Sequence, residues 1–315
     1  MKKSKGLLFE MKQYIRQNHK NNKTKITYLH SASSFCTYTQ ISAKTANQIR
    51  ENPQAILQDY ADYLAQKNLS ADTIHTYISF PCVFFNIPMS EINKPKRMVA
   101  AITRSRDNDS NAQGAWEESN PKYARLVAFQ KRVGIRRAEI ASLTGENFKQ
   151  DENGNWCVEV KKGKGGKYQL QRILPDDVDF VGKYFDGSTS KVFSADEMNN
   201  KIDLHAMRGA NARNAYEIYL KRCDTSAGRQ RLQQELIDRY VRYNKKYIKN
   251  GCRPAELAAF QNEMQGIYKL RGDCAAIAKQ KERPLTYDKT ALMAVSVFHL
   301  SHWRCDVTVR NYMLA

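Results

Sequence analysis

Tyr312 stands three residues from the end of the sequence and ten after His302, in the stretch His299 to Ala315, HLSHWRCDVTVRNYMLA. A tyrosine in such a place is ordinarily a surface or packing residue. Its interest comes from groups far upstream that would serve a nucleophilic phenol. Arg136 and Glu139 lie in Gly134-Ile135-Arg136-Arg137-Ala138-Glu139-Ile140. The loop Lys161–Lys167, KKGKGGK, carries Lys162, Lys164 and Lys167. His205 and Arg208 are three apart and share one face of a helix. Guanidiniums grip oxyanions, a mobile lysine reaches a phosphate, and an imidazole accepts protons near neutral pH. Each group also has a plainer reading. Arg136 and Glu139 fit any helix start, the glycine-lysine loop fits a flexible turn, and His205 with Arg208 fits a salt-bridging helix face.

The charge favours the phosphate reading. Lys and Arg number 51 against 32 Asp and Glu, for a net charge of +19 and a pI near 9.6 in 315 residues. A field of that size attracts polyanions: DNA, RNA or an anionic membrane. No apolar run approaches the ~18–20 residues that span a bilayer. The basic N-terminus, MKKSKGLLFEMKQYIRQ, lacks a sustained apolar region and a small-residue cleavage site, so it reads as retained protein. The seven cysteines are widely spaced with no CxxC pair, which reads as reduced cytoplasmic thiols used in packing. His299, His302 and Cys305 have a spacing that nominally suits zinc on a helix, but a fourth ligand is missing.

The chain has room for about two domains. Residues 1–30 hold eight Lys or Arg and one Glu, and Leu7, Leu8, Met11, Tyr14 and Ile15 recur at helical spacing. From about 40 to 92 the pattern is helical. One stripe runs over Ile56, Leu57, Tyr60, Tyr63 and Leu64 after Pro53, and a second helix, with Ser70 as its cap, ends at Pro81. Residues 104–120 have a linker composition, which puts the boundary near 105. Beyond it come a helix through Leu126 and Phe129 and a turn after Gly134. Trp156 to Val160 and Tyr168 to Leu174 form a hairpin, and residues 202–220 a helix. Three further helical segments follow: 229–249, one from Pro254 with Leu257, Phe260, Met264 and Ile267 in register, and Asp273 to Glu282. A last one starts near Tyr287. The class is therefore mostly α (α+β), with a small antiparallel sheet in the second domain.

Taken in order, G-I-R-x-x-E-I, a lysine-bearing hairpin, H-x-x-R and L-S-H with a tyrosine ten residues on resemble the tyrosine recombinases, the phage-integrase family. Residues 40–92, with Leu69-Ser70-x-x-Thr73-Ile74-x-x-Tyr77, are similar to that family's core-binding domain. The resemblance implies domains at 1–105 (a basic segment and a helical DNA-binding domain) and 106–315 (catalytic). It implies that Arg136 and Arg208 grip the scissile phosphate and that Tyr312 attacks it to give a 3′-phosphotyrosine. By the same likeness His205 accepts the proton, His302 hydrogen-bonds the phosphate and Glu139 braces the site. A hairpin lysine protonates the leaving 5′-oxygen; Lys164 matches best, with Lys162 and Lys167 as rivals. No cofactor, metal or ATP is implied. The partners would be double-stranded DNA with specific recombination sites, a homotetramer on that DNA and accessory DNA-bending proteins. The setting would be the bacterial cytoplasm and the role integration or excision of a mobile element.

Three departures stand out. Gly209 occupies the place where the family commonly has a second histidine. The step from His302 to Tyr312 is one longer than the commonest family spacing. Arg208 and His302 are 94 positions apart, against little over twenty in the family, so a helical, basic insertion at about 221–285 is expected. Since only three residues follow Tyr312, that insertion is a candidate for protomer contact, DNA contact or gating of the tyrosine; a passive excursion is the alternative. A type IB topoisomerase-like enzyme shares the same chemistry, and a catalytically silent DNA-binding regulator shares the charge.

Overall fold

The computed structural model of the protein describes residues 6–98, 112–247 and 254–314. The boundary expected near residue 105, and Cys252, lie outside them. The chain divides into two compact units, Met1–Ile102 and Thr103–Ala315. Both are mostly helical, and the second carries a small antiparallel sheet. No helix among the described residues is long and apolar enough to cross a membrane.

The first unit is a bundle of α1 (Leu7–Asn18), α2 (Asn22–Ile41), α3 (Ala46–Glu51), α4 (Pro53–Gln66) and α5 (Ala71–Phe84). In α1, Leu7, Met11 and Ile15 repeat at four-residue steps and are buried in the same core as Phe35, Tyr60, Ile74 and Ile78. The basic N-terminal segment is therefore built into the bundle. Its helix α2 has no clean apolar stripe in sequence because Ser31 and Thr39 hold buried positions. The Ser70 side chain caps α5 as expected, accepting from the Thr73 N–H at 3.2 Å.

That helix does not stop at Pro81; it continues to Phe84. A proline inside a helix leaves the carbonyl four residues back without its usual donor. Here that carbonyl belongs to Tyr77, and the Ser31 hydroxyl of α2 donates to it. A side chain on another helix thus satisfies the group that proline orphans.

In the second unit, α6 (Ala112–Ser119) replaces part of the expected linker. After it come α7 (Ala124–Val133), α8 (Arg137–Ile140), the sheet, α9 (Val178–Gly182), α10 (Ala195–Met198) and α11 (Leu204–Arg222). The sheet has three strands, β1 (Phe148–Gln150), β2 (Trp156–Val160) and β3 (Gln169–Arg172), all antiparallel, with Phe148 opposite Val158 and Cys157 opposite Arg172. The core beneath it gathers Leu126, Phe129, Val133, Ile140, Val158 and Leu204.

The long insertion holds α12 (Ser226–Tyr247), α13 (Pro254–Glu263) and α14 (Gly272–Gln280), but it is not all helix. The α13 helix ends at Glu263. Ile267, expected on its buried face, lies in strand β4 (Ile267–Lys269) at 59% exposure. The strand pairs with β5 (Thr286–Asp288), Tyr268 opposite Tyr287. Three-residue strands are too short to show a period. The chain closes with α15 (Lys289–Ala294), a π-helical run Val295–Leu300, and α16 (Cys305–Thr308), which passes into a second π-helical run Val309–Met313. The six cysteines described are free thiols, and five are buried.

Candidate active site

Two backbone features bring the upstream arginines together. Helix α7 ends at Gly134 in the left-handed conformation, φ +65°. A Cβ there would sit 2.9 Å from Asn211 Oδ1 of α11, so both the backbone angle and the close approach require glycine. The turn carries the chain straight into Arg136, which starts α8. Glu139 closes that turn from both sides: its Oε2 accepts from the Arg136 N–H at 2.9 Å and its Oε1 from Arg136 Nη1 at 2.7 Å. The fully buried Gln130 ties both arginine-bearing segments, its Nε2 donating to Ile135 O at 2.8 Å and to Leu204 O at 2.6 Å.

Arg208 is wholly buried on α11. Its Nη1 donates to Gly134 O, its Nη2 to Leu300 O at 2.9 Å, and its Nε reaches Tyr312 Oη at 3.5 Å. Arg136 Nη2 also reaches Leu300 O, at 3.5 Å. One peptide oxygen therefore lies between the two guanidiniums. Burial, then the neighbouring Arg136 charge, pull the Arg208 pKa below its ordinary value, while Tyr312 and Glu139 act in the opposite sense.

The turn that delivers that oxygen is unusual. Ser301 and Trp303 both have left-handed φ, +54° and +61°, conformations that non-glycine residues keep only when their surroundings impose them. The buried Ser296 does so. Its carbonyl accepts from His302 N at 3.0 Å; its hydroxyl accepts from Arg304 N at 2.9 Å and donates to Arg304 O at 3.1 Å. His302 is thereby aimed at the tyrosine, with Nε2 3.1 Å from Tyr312 Oη. Burial, followed by the charges of Arg208, Arg136, Lys164 and Lys167, lowers the His302 pKa to about 3, so its ring is neutral at pH 7.

Tyr312 is 3% exposed. Its ring centroid is 5.4 Å from both His205 and His302. Arg213, one and a half turns beyond Arg208, donates from Nη1 to Tyr312 O at 2.8 Å. The same Nη1 would lie 3.4 Å from a Cβ on Gly209. Gly209 thus lies against the arginine that holds the tyrosine's backbone, at a distance where a Cβ would make an ordinary contact.

Arg136, Arg208, His205, His302, Glu139 and Tyr312 are gathered in one place. The immediate partner of the phenol is His302, whereas the resemblance gave the proton-accepting role to His205, which is solvent-exposed. The lysines stand at the edge. Lys164 starts a short 3-10 turn in the hairpin loop, and Lys162, Lys164 and Lys167 are all exposed. The loop nevertheless passes close to the site, since a Cβ on Gly163 would be 3.1 Å from Glu139 Oε1. Arg213 and Gln130 were missed from sequence. A lone arginine five residues past another follows no helical contact spacing, and a buried glutamine carries no local signal.

No family model matches this chain, and no curated protein matches it. Among solved structures the chain is similar to the XerA recombinase, with 16% identity over 66% of this chain and 82% of that one, at a TM-score of 0.23. Likeness that loose carries no argument about the site.

Proposed function

We propose that the second unit cuts and rejoins DNA through a covalent bond between Tyr312 and a 3′-phosphate, as a site-specific recombinase acting on a mobile element. The observation that carries this reading is the convergence of Arg136, Arg208, His302 and Tyr312, with the phenol hydrogen-bonded to His302 and within 3.5 Å of Arg208. The +19 charge supplies the attraction to a polyanion.

In the proposed reaction, the guanidiniums of Arg136 and Arg208 take the non-bridging oxygens and stabilise the charge of the pentavalent phosphorane. The Tyr312 oxygen forms its bond to phosphorus, the bond to the 5′-oxygen breaks, and the phenolic proton passes to a histidine. Lys164, or a neighbour on its loop, protonates the 5′-oxygen. Reversal by a 5′-hydroxyl rejoins the strand without ATP, because the phosphotyrosine bond keeps the energy of the bond that was cut. Burial is the main cause of the low His302 basicity, and the arginine and lysine field adds to it; a bound phosphodiester offsets that second part and so raises the basicity of His302.

Leu300 O stands where a phosphate oxygen shared by the two arginines would lie, so cutting requires that peptide to move. The test uses nicked duplexes built from short inverted repeats in the DNA flanking the gene. Wild type is expected to leave a denaturation-resistant protein–DNA adduct and Tyr312→Phe none. Equal adduct from both proteins would overturn the assignment of the nucleophile. Relaxation of a supercoiled plasmid without paired sites would move the reading to a topoisomerase, and the absence of any adduct to a regulator.

A further inference from the structure

The turn that aims His302 is held from two sides. Ser296 hydrogen-bonds the backbone of His302 and of Arg304, and so brackets Trp303. The Trp303 side chain is gripped by the insertion. Its ring centroid lies 5.0 Å from that of Tyr243, 5.8 Å from Tyr240 and 6.1 Å from Phe260, all within the range of favourable ring pairs. Tyr240 and Phe260 stack on each other, with centroids 4.2 Å apart and planes 13° from parallel, so α12 and α13 present one aromatic wall. Glu263, at the end of α13, adds a polar contact: its Oε1 accepts from Cys305 N at 3.4 Å.

That wall is itself anchored. Tyr240 follows Arg239, whose guanidinium is fixed by Asp151 and Glu152 of the β1–β2 turn at 2.8 and 2.7 Å. Tyr243 stands about one helical turn further along α12. Direct contacts therefore run from the sheet through the insertion to Trp303, one peptide bond from His302, whose Nε2 is 3.1 Å from the phenol. Trp303 needs such a grip. Its φ of +61° presses the Cβ toward the following carbonyl oxygen, and a bulky residue keeps that conformation only where its surroundings over-determine it. With the ring released, residue 303 can return to right-handed φ. That return re-aims the peptide joining it to His302, draws the imidazole from the phenol and opens it to water.

We propose that the insertion is a positioning element of the active site: Tyr240, Tyr243 and Phe260 grip Trp303 and thereby hold His302 against Tyr312. These are positioning residues, since they act through Trp303 and His302. What His302 does for the reaction rests on the proposed cutting chemistry; where His302 is held does not.

Three variants of the full chain test this: Tyr243→Leu, Tyr240→Leu and Tyr243→Phe. Both tyrosines are half-buried, and leucine keeps an apolar side chain on α12. The first readout is the imidazole Cε1–H NMR signal of His302, one of six histidines, assigned by its loss in His302→Gln. In wild type, burial and then the charges of Arg208, Arg136, Lys164 and Lys167 keep its pKa at about 3, so the signal should stay flat between about pH 5 and 8. In the two leucine variants the ring gains water and should titrate inside that window; Tyr243→Phe keeps the aromatic contact and should stay flat. The second readout is single-turnover adduct formation on the nicked duplexes. At saturating DNA the leucine variants should be slower by roughly 10²-fold, the scale of a slightly misplaced reacting group, with the half-saturating DNA concentration unchanged and with Tyr243→Phe at the wild-type rate. A His302 signal that stays flat in both leucine variants, each with an intact melting transition, overturns the proposal and leaves the insertion a DNA contact or a passive excursion. A titrating His302 with undiminished cutting overturns it as well. If wild type forms no adduct, the cutting reaction fails by itself, and the NMR signal still decides whether the insertion holds His302.

Discussion

Two pairs of arginines lie within the second unit, Arg172, Arg239 and Arg208 buried and Arg136 partly so, and they are neutralised in opposite ways. Arg172 of β3 and Arg239 of α12 face carboxylates. Asp151 Oδ2 accepts from both, at 2.8 Å each; Glu152 takes Arg239 Nε at 2.7 Å and Glu235 takes Arg172 Nη1 at 2.7 Å. Burial works against the charge on Asp151, yet the Arg172 guanidinium and hydrogen bonds from Arg172 and Asn155 hold its carboxyl below the usual range. Arg136 and Arg208 share a single carboxylate, Glu139, and otherwise face the carbonyls of Gly134 and Leu300 and a phenol. The first pair is a closed set of charges that bolts the insertion to the sheet. The second keeps positive charge in reserve, which is what a phosphate-binding pair needs. A single stretch meets both: the Phe298 ring lies 3.6 Å from Arg172 Cζ and 5.2 Å from Arg239 Cζ, and Leu300 O joins the other two.

The contrast fixes what substitution should do. Asp151→Asn leaves two buried guanidiniums short of charge. Removing one partner of a buried ion network costs about 3–5 kcal/mol, so urea denaturation should show a loss of that size, with α12 loosening first in hydrogen exchange. A loss within experimental error would make the two pairs equivalent. Arg208→Met should do the reverse. Cutting of nicked DNA falls by roughly 10²–10³-fold, the scale of one lost oxyanion donor, while the folded state loses little because a poorly compensated charge leaves with the side chain. A large loss of stability would recast Arg208 as structural.

A further effect concerns pH. His299 lies between the two pairs. Burial first, then the fields of Arg172 and Arg208, lower its pKa from 6.5 to about 3, as happens to His302 beside it. Both folded values lie below the unfolded one, so the unfolded chain binds protons first as pH falls. The contribution is intact above 6.5 and is lost progressively between about 6.5 and 3. Each ring adds at most about 1.4 kcal/mol per pH unit to the slope, the part-buried His302 less because of solvent screening. Denaturation midpoints across that window should flatten in His299→Gln, and an unchanged slope would refute the placement of His299.

Much of this was readable in sequence where the pattern was local. The Ser70 cap, the hairpin around the lysine loop and the helix carrying His205 and Arg208 all follow from residue types and short spacing. What stayed hidden was tertiary. Pro81 reads as a helix end because the hydroxyl that rescues Tyr77 O comes from Ser31, 46 positions earlier. The ribbon of β4 and β5 escaped because neither strand exceeds three residues. The insertion read as basic and helical, yet its arginines at 229 and 239 are engaged by Asp288, Asp151 and Glu152, acids that no local window would pair with them. The contact of Arg213 is likewise tertiary, to the Tyr312 carbonyl 99 positions away.

The Leu300 carbonyl has a consequence for selectivity. It is a ligand carried by the chain itself, present at an effective concentration that no dilution lowers; short tethers hold such values near millimolar. A free phosphate or a lone nucleotide must outcompete it from solution and gains only one contact set for doing so. A duplex arrives with many phosphates gripped at once, and that summed affinity can displace one tethered oxygen. On the proposed function, the arginine pair is thereby biased against small anions and toward a polymer.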